Sequence, residues 1–139
     1  MAKNKLKYFV ALALSLLVGM MLTVSCARST AAQIISPQQA STLIQDNRNN
    51  PDFVIIDVRT PSEFVDGHIA NAIDIDFYAT DFRNKINALD KNKTYLIYCH
   101  SGNRSGKARE MMVELGFQKI YDIGGGIVAW EAAKLPIVK

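Results

Sequence analysis

Cysteine is scarce in this chain: two residues among 139, Cys26 and Cys99, in unrelated surroundings. A folded part that holds one thiol can build neither an internal disulfide nor a cysteine-based metal site. Its sulfur matters through its own reactivity, or else it is a quiet core residue. Internal repeats and low-complexity tracts are absent as well. So is any large excess of charge on the folded part. Sixteen Lys and Arg face thirteen Asp and Glu, but Lys3, Lys5 and Lys7 all lie in the first seven residues. Without residues 1–25, thirteen charges of each sign remain. The basic isoelectric point therefore belongs mostly to the leader, and no basic stripe is left for nucleic acid. The length fits one domain.

What is present begins with MAKNKLK, followed by an uncharged stretch from Tyr8 to Ala27 in which Phe9 to Val24 is mainly Ala, Leu, Val and Met. A basic start, an apolar core and then small residues form a secretory signal, residues 1–26. Three endings fit it. Leu22-Thr23-Val24-Ser25-Cys26 is similar to a bacterial lipoprotein box, with a small residue before the cysteine and Thr23 where Leu is usual. Cys26 is then the lipid attachment site. Cleavage after Ala27 or Ala32 releases a free periplasmic protein instead, and about 20 apolar residues also suffice for a retained anchor. The expectation is export from the bacterial cytoplasm to the periplasm, with membrane attachment by a lipid if Cys26 is acylated. Residues 27–33, ARSTAAQ, read as a tether, and 34–139 as the folded domain.

From there strands and helices alternate. Gln33–Ile35 is a short strand. Ser36-Pro37 opens a helix to about Gln45, with Ser as N-cap and Pro in the first turn. Phe53 to Val58 is an apolar, β-branched run without polar alternation, the mark of a strand buried on both faces. Thr60-Pro61-Ser62-Glu63 starts a short helix with a capping box and stops near Gly67. Ala72–Asp76 is a strand, and Tyr78–Leu89 carries Phe82, Ile86 and Leu89 at the spacing of one helical face. Thr94–Tyr98 is a second buried strand, ending at Cys99. Arg104–Leu115 is helical, with Ala108, Met111, Met112 and Leu115 inward and Gly116 as its C-cap. Ile120–Ile123, a triple glycine and a helix over Ile127–Lys134 complete the chain. Such alternation implies an α/β domain, a parallel sheet with helices on both faces. Ligands of open α/β sheets sit at the carboxyl ends of strands, and Cys99 stands at one.

Residues 98–106 read Tyr-Cys-His-Ser-Gly-Asn-Arg-Ser-Gly. A buried strand delivers the cysteine, a tight loop follows, and a helix starts at about Arg104. Only the thiolate is nucleophilic, and a free thiol titrates near pH 8.5. Loop N–H groups curling around sulfur, with a helix N-terminus aimed at it, favour the anion. Gly102 permits the backbone angles that let those groups converge. Arg104 and Ser105 can donate to an oxyanion, Arg with a planar fork. Cys99 is thus the candidate nucleophile, and His100, Ser101, Gly102, Asn103, Arg104 and Ser105 the candidate binding loop. Such a cradle suits attack on an anionic donor such as thiosulfate, with sulfite displaced and the outer sulfur kept as a persulfide for a second nucleophile. No metal or organic cofactor is needed.

The segment YCHSGNRSGKA resembles the active-site loop of the rhodanese family of sulfurtransferases in its single-domain form. Asp57-Val58-Arg59-Thr60-Pro61-Ser62-Glu63-Phe64 followed by Gly67-His68-Ile69 is similar to that family's first signature. Gly125-Gly126-Ile127-Val128-Ala129-Trp130 is similar to its closing one. The resemblance runs from about Ile34 to Pro136. It implies a rhodanese-like α/β fold with a central five-stranded parallel sheet, Cys99 as sulfur carrier and residues 99–104 as catalytic loop. The implied partners are a small anionic sulfur donor, a thiol or cyanide-like acceptor, and a possible protein acceptor. The chain departs from the pattern at Ala70-Asn71, where Pro-Gly is common, and at His100, where Arg is.

Two rival functions remain. A phosphatase places five residues between its Cys and Arg, enough to wrap a tetrahedral oxyanion, with His before the Cys; here four residues intervene and Tyr98 precedes. A non-catalytic rhodanese module, anchored at a membrane for sulfur delivery or partner binding, shares the fold but has no need of the cysteine. Polysulfide handling differs from the leading reading only in the donor. Among other residues, Arg59 can attract an anionic donor, although an ion pair with Glu63 or Asp57 is the plainer role. His68 reads as a tie between loops, and Trp130, Met111 and Met112 as core. The triple glycine is followed by no Lys-Ser/Thr, so a tight turn is expected rather than a phosphate cradle.

Overall fold

A computed structural model describes residues 31–139. Cys26, the leader and most of the tether lie outside the described residues. Five parallel strands, β1 (Ala32–Ile35), β2 (Phe53–Asp57), β3 (Ala72–Asp74), β4 (Thr94–Tyr98) and β5 (Lys119–Ile123), form one sheet in the order β1-β5-β4-β2-β3. β1 begins at Ala32, so the last residues read as tether pair with β5 instead. The helices are α1 (Pro37–Asp46), α2 (Pro61–Asp66), α3 (Phe82–Asn87), α4 (Asn103–Glu114) and α5 (Gly126–Ala132).

The unalternating strands β2 and β4 are buried on both faces, as their composition requires. Ile56, Tyr95 and Ile97 pack on one side with Phe82 and Ile86 of α3 and Ala108 and Met112 of α4. Ile55, Leu96 and Tyr98 pack on the other side with Ala40 of α1 and Ile127 and Trp130 of α5. Both expected capping boxes form, at Ser36/Gln39 and Thr60/Glu63, each with Pro in the first turn. The helix expected over Tyr78–Leu89 shortens to α3. Its first residues are drawn into turns, with Asp76 Oδ1 accepting from Tyr78 N at 2.9 Å and the Asp76 carbonyl from Ala79 N at 3.1 Å. α4 ends at Glu114 with Leu115 as its C-cap and Gly116 one place beyond, left-handed at φ +89, so that Phe117 N reaches the Met112 carbonyl at 3.1 Å. That is a Schellman closure.

His68 ties the segment after α2 to the C-terminus through a bridge to Val138, its ring stacked on Phe64 at 3.8 Å. Trp130 is core, and its indole N–H donates to the Pro136 carbonyl at 3.0 Å.

Candidate active site

β4 occupies the middle of the sheet, and its carboxyl end delivers Cys99 on the same face as Tyr95 and Ile97, against α4. The chain then turns through His100 and Ser101, both exposed, to Gly102, which is left-handed at φ +99. That conformation points Gly102 N back at Cys99 Sγ, 3.1 Å away. α4 starts on Gly102 with no capping side chain. The N–H of Ser105, third in the helix and normally satisfied by such a cap, is turned toward the sulfur, as are the Ser101 N–H and the Ser105 hydroxyl, and all three favour its charge. Burial of a residue only 1% exposed pushes the thiol up, but these donors outweigh it, and Cys99 ionises below the ordinary thiol range. The anion is favoured because its hydrogen bonds are built in advance.

The loop is held from behind by the triple glycine. Ile127 N and Val128 N, in the first turn of α5, donate to the carbonyls of Cys99 at 2.8 Å and His100 at 3.2 Å. Gly126 is left-handed at φ +60, and a Cβ there would meet the Cys99 carbonyl oxygen and, at 2.6 Å, the His100 carbonyl carbon. The glycines form the expected tight turn, and the reason is close backbone approach.

Arg104 lies in the first turn of α4. Its guanidinium grips Glu63 of α2 through two bonds, 2.7 and 2.8 Å, and lies 5.6 Å from the Tyr78 ring. Its fork is thus filled by a carboxylate in this structure, which corrects the expectation of a fork open to an incoming oxyanion. Ser105 also departs from its expected place. It is fully buried, so its hydroxyl faces the underside of the sulfur and Asp122 rather than solvent. Asn103 is the exposed first residue of α4.

Arg59, expected either to attract a donor or to pair with Glu63 or Asp57, pairs with Asp57. Its Nε and Nη2 meet the Asp57 carboxylate at 2.9 and 2.7 Å, and Nη2 also donates to the Gly67 carbonyl at 2.6 Å. Its charge is spent inside the fold. It still lines, with Glu63, Asp66, His100 and Ile127, a cavity of about 140 Å³ beside the loop.

Two members of the site were not singled out as such from sequence. From sequence Glu63 is a capping residue and a possible partner of Arg59, and its bond to Arg104 spans 41 residues. Arg104 holds the Glu63 carboxyl down to about 2, against the opposing effect of burial. A carboxyl with a lowered pKa stabilises the fold fully above its unfolded value and loses that contribution as pH falls towards about 2. Urea midpoints should therefore drop for the native chain between pH 4.5 and 2, and drop less for Glu63→Gln; equal slopes in both proteins would refute the pairing. Asp122 was overlooked too, although an acid inside the apolar run Ile120-Tyr121-Asp122-Ile123 was a visible signal. It is 3% exposed, and Oδ2 accepts from Arg109 Nη1 at 2.9 Å.

Comparison with known proteins agrees with this geometry. Residues 36–133 match the family described as the rhodanese-like domain. A sulfurtransferase of Allochromatium vinosum is 30% identical over 105 residues, covering 76% of this chain and 96% of that one. The thiosulfate sulfurtransferase GlpE of Coxiella burnetii is 35% identical over 81 residues, 58% of this chain and 74% of its own. The crystal structure of a rhodanese-related protein from Thermoplasma volcanium superposes with a TM-score of 0.63 at 33% identity, covering 76% of this chain and 97% of that one. With a family match over residues 36–133 and a relative 30% identical over 76% of its length, the chain belongs to the rhodanese-like domain family.

Proposed function

We propose that this protein is a rhodanese-type sulfurtransferase that carries sulfur as a persulfide on Cys99. The observation that carries the reading is a buried thiol at the end of the central strand, held by the Gly102 N–H at 3.1 Å and favoured as the anion by the neighbouring Ser101 and Ser105. The names of the Allochromatium and Coxiella relatives support it. In the first half-reaction the Cys99 thiolate attacks the outer sulfur of thiosulfate. The S–S bond breaks and sulfite leaves with its electron pair, so charge balances and no proton moves. In the second, a thiophile such as cyanide or a thiolate takes that sulfur and returns the thiolate. The amide donors hold the inner sulfur in both states.

A phosphatase reading fits less well. The loop between Cys99 and Arg104 is one residue shorter than that chemistry uses, and Arg104 is turned to Glu63. A non-catalytic module would have no use for a loop that favours the charged form of its sulfur. Incubating the full chain with thiosulfate should add the mass of one sulfur to the peptide containing Cys99, and cyanide should then release it as thiocyanate. An unchanged mass with every donor tried would overturn the reading. The leader is read as directing export, with Cys26 as a lipid site. Labelling with a radioactive fatty acid in a bacterial host, lost on Cys26→Ser, is the expected result.

A further inference from the structure

Behind Cys99, on the side away from solvent, two buried oxygens lack a hydrogen-bond partner among the described residues: Ser105 Oγ and Asp122 Oδ1. Both residues are more than nine-tenths buried. The Ser105 hydroxyl is near enough to act on both Cys99 and Asp122, yet closes a well-formed bond with neither. One hydroxyl has one proton to give. The thiolate and the Asp122 carboxylate are therefore rivals for it.

We propose that Asp122 is a positioning residue that sets the ionisation of Cys99 through Ser105. This rests on the reading of Cys99 as the reacting sulfur. When Asp122 is protonated, it donates to Ser105 Oγ and the serine proton turns to the sulfur. When Asp122 is a carboxylate, it draws that proton away and leaves the sulfur to the backbone donors. In the exchange the carboxyl proton of Asp122 passes to solvent, while the serine keeps its own proton and only turns it from the sulfur to the carboxylate. Few other charges face Asp122 among the described residues. From α4 come Arg109, on Oδ2, and Ser105, and the loop brings the sulfur itself. In the sheet β4 and β1 set Ile97 and Ile34 opposite it. Arg109 leaves Oδ1 unanswered. Burial pushes the Asp122 carboxyl up to about 6, with Ser105 and Arg109 pulling the other way. The switch between the two arrangements thus falls near pH 6.

The rate of Cys99 alkylation by iodoacetamide reads thiolate directly and needs no sulfur transfer, so its outcome is independent of whether thiosulfate is the donor. In the native chain the pH profile should show two steps, one of them near 6. Asp122→Asn, which cannot ionise, should give a single step, and alkylation at pH 7.5 faster by roughly two- to tenfold, the worth of one hydrogen bond to the sulfur. Ser105→Ala should also lose the step near 6, and should alkylate more slowly by a similar factor below that step, where the native serine proton is turned to the sulfur. Should the Asn variant fail to fold, carboxyl carbon NMR on the native chain gives the reciprocal reading, because coupling acts equally in both directions. The Asp122 titration must then move in Cys99→Ala. Superimposable profiles in the native and Ser105→Ala chains, or an unmoved Asp122 titration, overturn the proposal.

Discussion

Cys99→Ser is expected to reduce sulfur transfer by at least about a thousandfold, the scale on which removal of a covalent nucleophile is felt. Serine presents its oxygen to the same donors, but a hydroxyl does not ionise near neutral pH and forms no stable link to a sulfane sulfur. The change removes little volume from the core and keeps a hydrogen-bonding atom in the cradle, so the fold should persist. Thiocyanate production gives the first half of the result, and the urea midpoint, within about 1 kcal/mol of the parent, gives the second. Residual transfer of more than a few per cent would place the nucleophile elsewhere.

Gly126→Ala should be the most damaging single methyl group that can be added near the site. A side chain at a left-handed position costs about 1–3 kcal/mol, and forcing it into filled space costs about 1–3 more. Here the obstacles are the backbone of Cys99 and His100 rather than a side chain that can step aside. The combined loss, roughly 2–6 kcal/mol, is a large fraction of a domain's total stability. If the chain survives it, the strain must pass to the loop, where Ile127 N and Val128 N hold the two carbonyls. Chemical denaturation measures the loss, and alkylation of Cys99 should slow in whatever folded protein remains. Gly116→Ala is the natural control. It too is left-handed, at φ +89, but no atom lies within 4 Å of the added carbon. A larger penalty there than at Gly126 would contradict the clamp.

How far the sequence foretold this site depended on whether the signal was local. β2 and β4 were legible because the short apolar runs Phe53–Ile56 and Tyr95–Tyr98, rich in β-branched and aromatic residues, suit a doubly covered strand. The boxes at Ser36 and Thr60 were legible because their partners lie three residues away. Cys99 and its loop could be read from the glycine and the arginine placed after a buried strand. α3 was overextended because Phe82, Ile86 and Leu89 keep helical spacing, while the Asp76 side chain wins the preceding backbone for a turn. The partners of the charged groups were illegible for a plainer reason. Arg104 finds Glu63 41 residues away and Arg109 finds Asp122 on another element, and no local pattern records which acid the folded chain will bring near.

One feature of α4 reaches beyond the chemistry of transfer. Most helices fasten their first turn with an inert side chain, whereas the first turn of this one faces the sulfur that we propose is substituted and restored in every cycle. The mechanical anchoring of a twelve-residue helix is therefore tied to the oxidation and substitution state of its sulfur. A cell that blocked that atom with an uncharged adduct would also slacken the frame around it, and spent protein would become easier for a protease to open than protein still in service.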